Sequence, residues 1–112
     1  MKNTIIAIVL LLTVIIFVIV NAFVVASITD KLVKLTEESS LSELKEYWDE
    51  KSYYLSITTH LDVLEEADKA ICDMESYRKS GSEEEYLAAK ERFINSIDEI
   101  ATGEKISLYN IF

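Results

Sequence analysis

Residues 5–28 read IIAIVLLLTVIIFVIVNAFVVASI, a run of 24 residues without one charged side chain. Wound as an α-helix at 1.5 Å per residue, such a run extends about 36 Å, enough to cross a hydrocarbon layer of about 30 Å with some tilt. Lipid offers no partner to a free amide, so the run must be helical there despite its many β-branched residues. It therefore reads as a transmembrane helix over 5–28, with residues 1–4 as a short cytoplasmic terminus. The competing reading is a cleaved signal peptide, whose apolar core ordinarily covers only about 7–15 residues. Cleavage in the contexts Val20-Asn21-Ala22 or Val24-Val25-Ala26 would release a secreted soluble factor.

The flanks set the orientation. Lys2 and the amino terminus favour a cytoplasmic start, while Lys31 and Lys34 stand just past the other end. One short basic flank followed by an acidic domain reads as a single-pass signal anchor at the cell membrane, with the C-terminal domain extracytoplasmic. Inside the span, Ala22 and Ala26 form a small-xxx-small pair and Asn21 adds an amide. Small residues let two helices approach and an amide can bond across the contact, which would suit a homodimer or another membrane protein. At the outer interface, water would satisfy Asn21 equally well.

Working outward, the remaining chain suits helices: it contains no proline and only two glycines. Its fold class reads as all-α, the anchor followed by a small antiparallel bundle of about three helices over 40–103. Residues 29–39 continue the anchor helix and break it at Ser39-Ser40. Ser40 with Glu43 fits a capping box, followed by Leu41, Leu44, Trp48 and Leu55 at helical spacings. A second stripe is Leu61, Leu64, Ala67, Ile71 and Met74. The intervening Ile57-Thr58-Thr59-His60 predicts a break with the N-cap at Thr58 or Thr59, although a continuous helix competes. Gly81 between two serines predicts a left-handed helix stop, and Ser82 with Glu85 a second capping box. The last helix should bury Tyr86, Leu87, Ala89, Phe93, Ile94, Ile97 and Ile100 and end at Gly103. The segment 104–112 is too apolar for a free tail and should close the bundle or dock on another protein.

The net charge is −9, and Lys2 is the only charged side chain before residue 30, leaving 20 acids against 10 bases on residues 30–112. A surface at −10 repels phosphates, so nucleic acid is not an expected partner. Glycine-rich phosphate loops, Gly-x-Ser-x-Gly and metalloprotease helices are missing from the sequence, so neither catalysis nor a cofactor is expected. The lone Cys72, beside the apolar stripe, reads as a buried inert thiol, an intermolecular disulfide being the sharper alternative. His60 with Asp62, and with Glu65 and Glu66 nearby, is a candidate polar or ion site. Residue 57 is isoleucine where a Glu-x-x-His metal pair would need a carboxylate. Trp48, Tyr53 and Tyr54 read first as core and next as a partner or membrane-interface surface, and Asn110, Ile111 and Phe112 as a second candidate contact.

Taken in order, these features resemble an uncharacterised bacterial family, typical of clostridia and relatives, catalogued as domain of unknown function 4363. The matching features are Lys2 with the long aliphatic anchor, Trp48-Asp49-Glu50-Lys51 with the Tyr/Leu/Ile run after it, His60 with Asp62, and the ending Lys105-Ile106-Ser107-Leu108-Tyr109-Asn110-Ile111-Phe112. Leu61 stands where the family pattern would put a further acid after the histidine. The resemblance implies a membrane-anchored helical protein and brings no catalytic residue. The sequence as a whole points to a non-enzymatic accessory or interaction protein, its partners being the bilayer and another membrane or envelope protein. An ion- or ligand-sensing module built on His60 is the alternative.

Overall fold

In a computed structural model, the described residues are 1–38, 40–57 and 59–111, with side chains described as far as residue 103. They form four helices and no strand: α1 (Lys2–Glu38), α2 (Leu41–Leu55), α3 (Leu61–Ser80) and α4 (Glu83–Ile111). The contacts run in a ring, α1 to α2 to α3 to α4 and back to α1. Cross-links between neighbours fix the direction: Lys45 reaches Glu75, Asp73 receives Arg92, and Tyr54 reaches Asn21. Each pair is symmetric about the intervening turn, so the bundle runs up-down-up-down with short connections.

The first helix does two jobs. From residue 5 to residue 20 most of its large apolar side chains stand exposed, Ile5 at 61%, Phe17 at 64% and Val20 at 53%, while Ile15, Val18 and Ile19 are half-buried. From Asn21 onward the same helix enters the bundle, burying Val25, Ile28, Thr29, Leu32 and Thr36. The three-helix expectation therefore gains a fourth member, and residues 21–28 are shared between the apolar run and the core. The cause is a periodic face: Val25, Ile28, Leu32 and Thr36 recur every three or four residues, which lines them along one side. The result is a rod of 68 × 21 × 20 Å. We call the end where the exposed part of α1 leaves the bundle the apolar end, and the other the far end.

Across the ring, Trp48 of α2 meets Phe93 of α4 edge to face, with centroids 5.6 Å apart and planes at 82°. Two large rings fill the diagonal. Ala67, Ala70 and Ala89, all fully buried, let α3 and α4 approach closely instead. Leu44, Leu55, Leu64, Ile71, Met74, Ile97 and Ile100 complete the core.

The helix ends follow local rules with three departures. The Ser40 hydroxyl accepts the Glu43 amide at 3.3 Å, as the capping motif requires. Gly81 adopts φ 75°. The Ser82 amide bonds back to the Tyr77 carbonyl at 3.0 Å, closing α3 as the serine-flanked glycine predicts. The first departure is at α3, which starts one residue later than an N-cap at Thr59, and two later than one at Thr58, would start it. His60 is its N-cap residue, its carbonyl receiving the Val63 and Leu64 amides while its side chain makes no cap bond. Thr58 itself lies outside the described residues. Second, Leu61 and Leu87, expected inside, are 66% and 52% exposed; Leu61 is the first residue of α3 and Leu87 lies near the start of α4, at the bundle's ends. Third, α4 does not stop at Gly103 but runs through it to Ile111. A glycine inside a helix costs only about 1 kcal/mol relative to alanine, and without a left-handed φ it need not end one. The side chains of 104–112, including Asn110, Ile111 and Phe112, lie outside the described residues.

Candidate functional site

Four places in the molecule bear on function, and the first is the exposed part of α1. Its single hydroxyl between residues 5 and 20, Thr13, donates to the Val9 carbonyl at 2.8 Å. With the backbone bonded along the helix, this surface presents hydrocarbon on every side. Among the described residues, α1 is the one helix long and apolar enough to cross a membrane. A core helix of a soluble protein would be buried over such a run. This one is exposed.

The second place is the boundary at Asn21. Its side chain is 8% exposed, and the Tyr54 hydroxyl donates to its Oδ1 at 2.8 Å. The amide that sequence reading assigns to a membrane contact is thus engaged within its own chain. Ala22 is half-buried and Ala26 exposed, so the small-residue pair is split between bundle and surface. Around the boundary lies an open groove between α1 and α2 lined by Phe23, Val24, Ser27, Tyr47, Lys51 and Tyr54. The Lys31 ammonium lies over the Tyr47 ring, 4.7 Å from its centroid. Burial, with the Glu50 charge adding, pushes the Tyr47 phenol above its ordinary range.

The aromatic cluster separates accordingly. Trp48 is 1% exposed, and its indole donates to Asp68 Oδ1 at 3.2 Å, so it packs in the core. Tyr54 is half-buried and held by Asn21. Tyr53 alone remains outside, at 81% exposure.

The third place is the α2–α3 turn, where His60 and Asp62 are both exposed. Among the described residues no group of three or more His, Cys, Asp or Glu is placed to hold a metal ion. Among the described residues the Thr59 hydroxyl, which is buried, has no hydrogen-bond partner.

At the far end, a groove of about 490 Å³ between α2 and α3 is lined by Leu41, Lys45, Asp49, Glu75, Arg78 and Lys79. Three of its charges are spent on one another. Glu75 bonds both Lys45 and Lys79, and Arg78 lies over the Tyr86 ring at 4.8 Å. The hydrogen bond from Lys45, then that from Lys79, holds the Glu75 carboxyl below its ordinary range, and Glu75 in turn raises the Lys45 ammonium. One helical turn away, Cys72 is exposed, contrary to the buried thiol expected from its neighbours. Partial desolvation and the nearby Asp68 carboxylate push that thiol above its ordinary range.

Sequence reading did not foresee the Asn21–Tyr54 bond. A lone amide in an apolar run signals a need for a partner, but which residue answers it depends on the antiparallel return of α2. No family model, no curated protein and no solved structure matches this chain.

Proposed function

We propose that this chain is a single-pass membrane protein whose helical bundle stands outside the cytoplasm and acts by contact with another envelope component. The observation that carries the reading is the exposed apolar half of α1, continuous with a helix of the bundle. One rigid helix joins lipid to domain, so the anchor sets both the height and the tilt of the bundle. Holding a protein at a surface raises its effective concentration for its neighbours, so a modest intrinsic affinity suffices. The acidic bundle suits cationic or neutral partner surfaces and disfavours nucleic acid. Membership in the clostridial-type family named above belongs to the same proposal, supported by the order of its motifs along the chain.

Orientation and contact are tested in cells. A membrane-impermeant maleimide should label Cys72 in intact cells, after outer barriers are opened but before the cytoplasmic membrane is. Labelling only after lysis would reverse the orientation. Photocrosslinkers placed at exposed positions of α2 and α3 should then capture one defined envelope protein. Uniform capture of abundant bystanders would reject the accessory role.

A further inference from the structure

The free part of the anchor is shorter than the membrane it has to cross. Residues 5–20 number 16, which as helix cover about 24 Å, against about 30 Å of hydrocarbon. Thinning of the bilayer and the helical residues 2–4 supply part of the missing length, about 6 Å, and the rest comes from beyond Val20, where α1 already belongs to the bundle. The apolar end of the bundle is therefore drawn into the bilayer surface along with it.

That end is built for such a position. Tyr54 is tied to Asn21, so the turn after α2, which continues in the direction of the exposed anchor, lies at or beyond the level of Asn21. There Tyr53, Ile57 and Leu61 are 81%, 66% and 66% exposed, and Phe23 on α1 is 74% exposed. From Ser52 to Leu61 ten consecutive residues include no Asp, Glu, Lys or Arg, the longest such stretch after residue 30. The far end is the opposite. Glu37, Glu38 and Glu43 stand there beside Arg78, Lys79 and the run Glu83-Glu84-Glu85. Exposed aliphatic and tyrosine side chains without charge, at the level where an anchor leaves the hydrocarbon, match the headgroup–acyl boundary.

We propose that the α2–α3 turn is a membrane-seating surface, with Tyr53, Ile57 and Leu61 immersed in the headgroup–acyl boundary of the bilayer that α1 crosses. The proposal rests on α1 being transmembrane. It adds that the bundle is gripped at two points, which fixes its rotation about the anchor as well as its height. Any partner then meets the far end and the flanks, never the turn.

The test uses the full-length chain in phosphatidylcholine nanodiscs, with Cys72→Ser as background and single nitroxide labels on Ile57→Cys, Leu61→Cys, Ser80→Cys and Val14→Cys. Accessibility to oxygen, which partitions into lipid, is compared with accessibility to an aqueous nickel chelate. The ratio at positions 57 and 61 should exceed that at 80 several-fold and lie between 80 and 14. If 57 and 61 match 80 while 14 is lipid-exposed, the bundle stands clear of the bilayer and the inference fails alone. Low accessibility to both reagents at 57 and 61 also overturns it, since a second copy or a protein partner would then cover the turn. If 14 is as aqueous as 80, the membrane reading fails and takes this inference with it.

Discussion

Two glycines show how one residue type serves opposite ends at the residue scale. Gly81 holds φ 75°, a conformation that costs other residues about 1–2 kcal/mol, and it closes α3. Gly103 sits inside α4 with open space around it. Gly81→Ala should therefore destabilise the bundle by about 1 kcal/mol, and Gly103→Ala should stabilise it by about 0.5–1 kcal/mol, both read from denaturant midpoints. Sequence reading assigned a stop to both. α3 does stop at Gly81, between two serines, whereas α4 runs on through Gly103, between Thr102 and Glu104. Thr59 carries a second prediction. Its buried hydroxyl has no partner among the described residues, and such a group costs about 1–3 kcal/mol. Thr59→Val keeps the shape and removes the polar atom, so thermal melts should show equal or higher stability, whereas loss of stability would mean that the hydroxyl is satisfied in solution.

Among the elements, the stripes of α2, α3 and α4 were legible because their apolar positions repeat at three and four residues. The double role of α1 was not. Val25, Ile28 and Leu32 look the same in a lipid-facing run as in a core, and only the return of α2 and α4 separates them. Likewise Trp48 and Tyr53 lie five positions apart on one helix, and their opposite fates depend on where α3 and α4 pack. The α2–α3 contact adds a pH signature. Glu75, held below its ordinary value of 4.5, contributes stability that is complete above that value and is lost as pH falls through its lowered one. Lys45, raised above 10.5, contributes fully below that value and loses its share as pH climbs through the raised one. Between these limits the pair is at full strength. Thermal midpoints of the native chain and of Glu75→Gln should therefore differ most between the ordinary values of 4.5 and 10.5 and converge in acid as the native carboxyl protonates. A constant difference across that range would place the effect outside the ion pair.

For the whole molecule, the question is where the anchor ends and the domain begins, and the structure places that boundary inside the apolar run. A chain starting at residue 40 would contain every helix expected from the sequence for the outer domain, yet would lack Val25, Ile28 and Leu32. Burying three such side chains stabilises by roughly 5–9 kcal/mol together, against a total of about 5–15 for a small domain. Their loss also uncovers the faces of α2 and α4 that α1 fills. A chain of residues 21–112 keeps these side chains and the Asn21–Tyr54 bond. It should unfold cooperatively in calorimetry, whereas residues 40–112 should lose the sharp transition or self-associate in sedimentation. The same boundary bears on release by cleavage. Cutting after Ala22 removes Asn21 but spares Val25, and the freed domain should remain folded with a lowered melting temperature. Cutting after Ala26 removes Val25 as well, and should lower it further. Identical melting of 21–112 and 40–112 would mean that the second half of α1 belongs to the lipid alone.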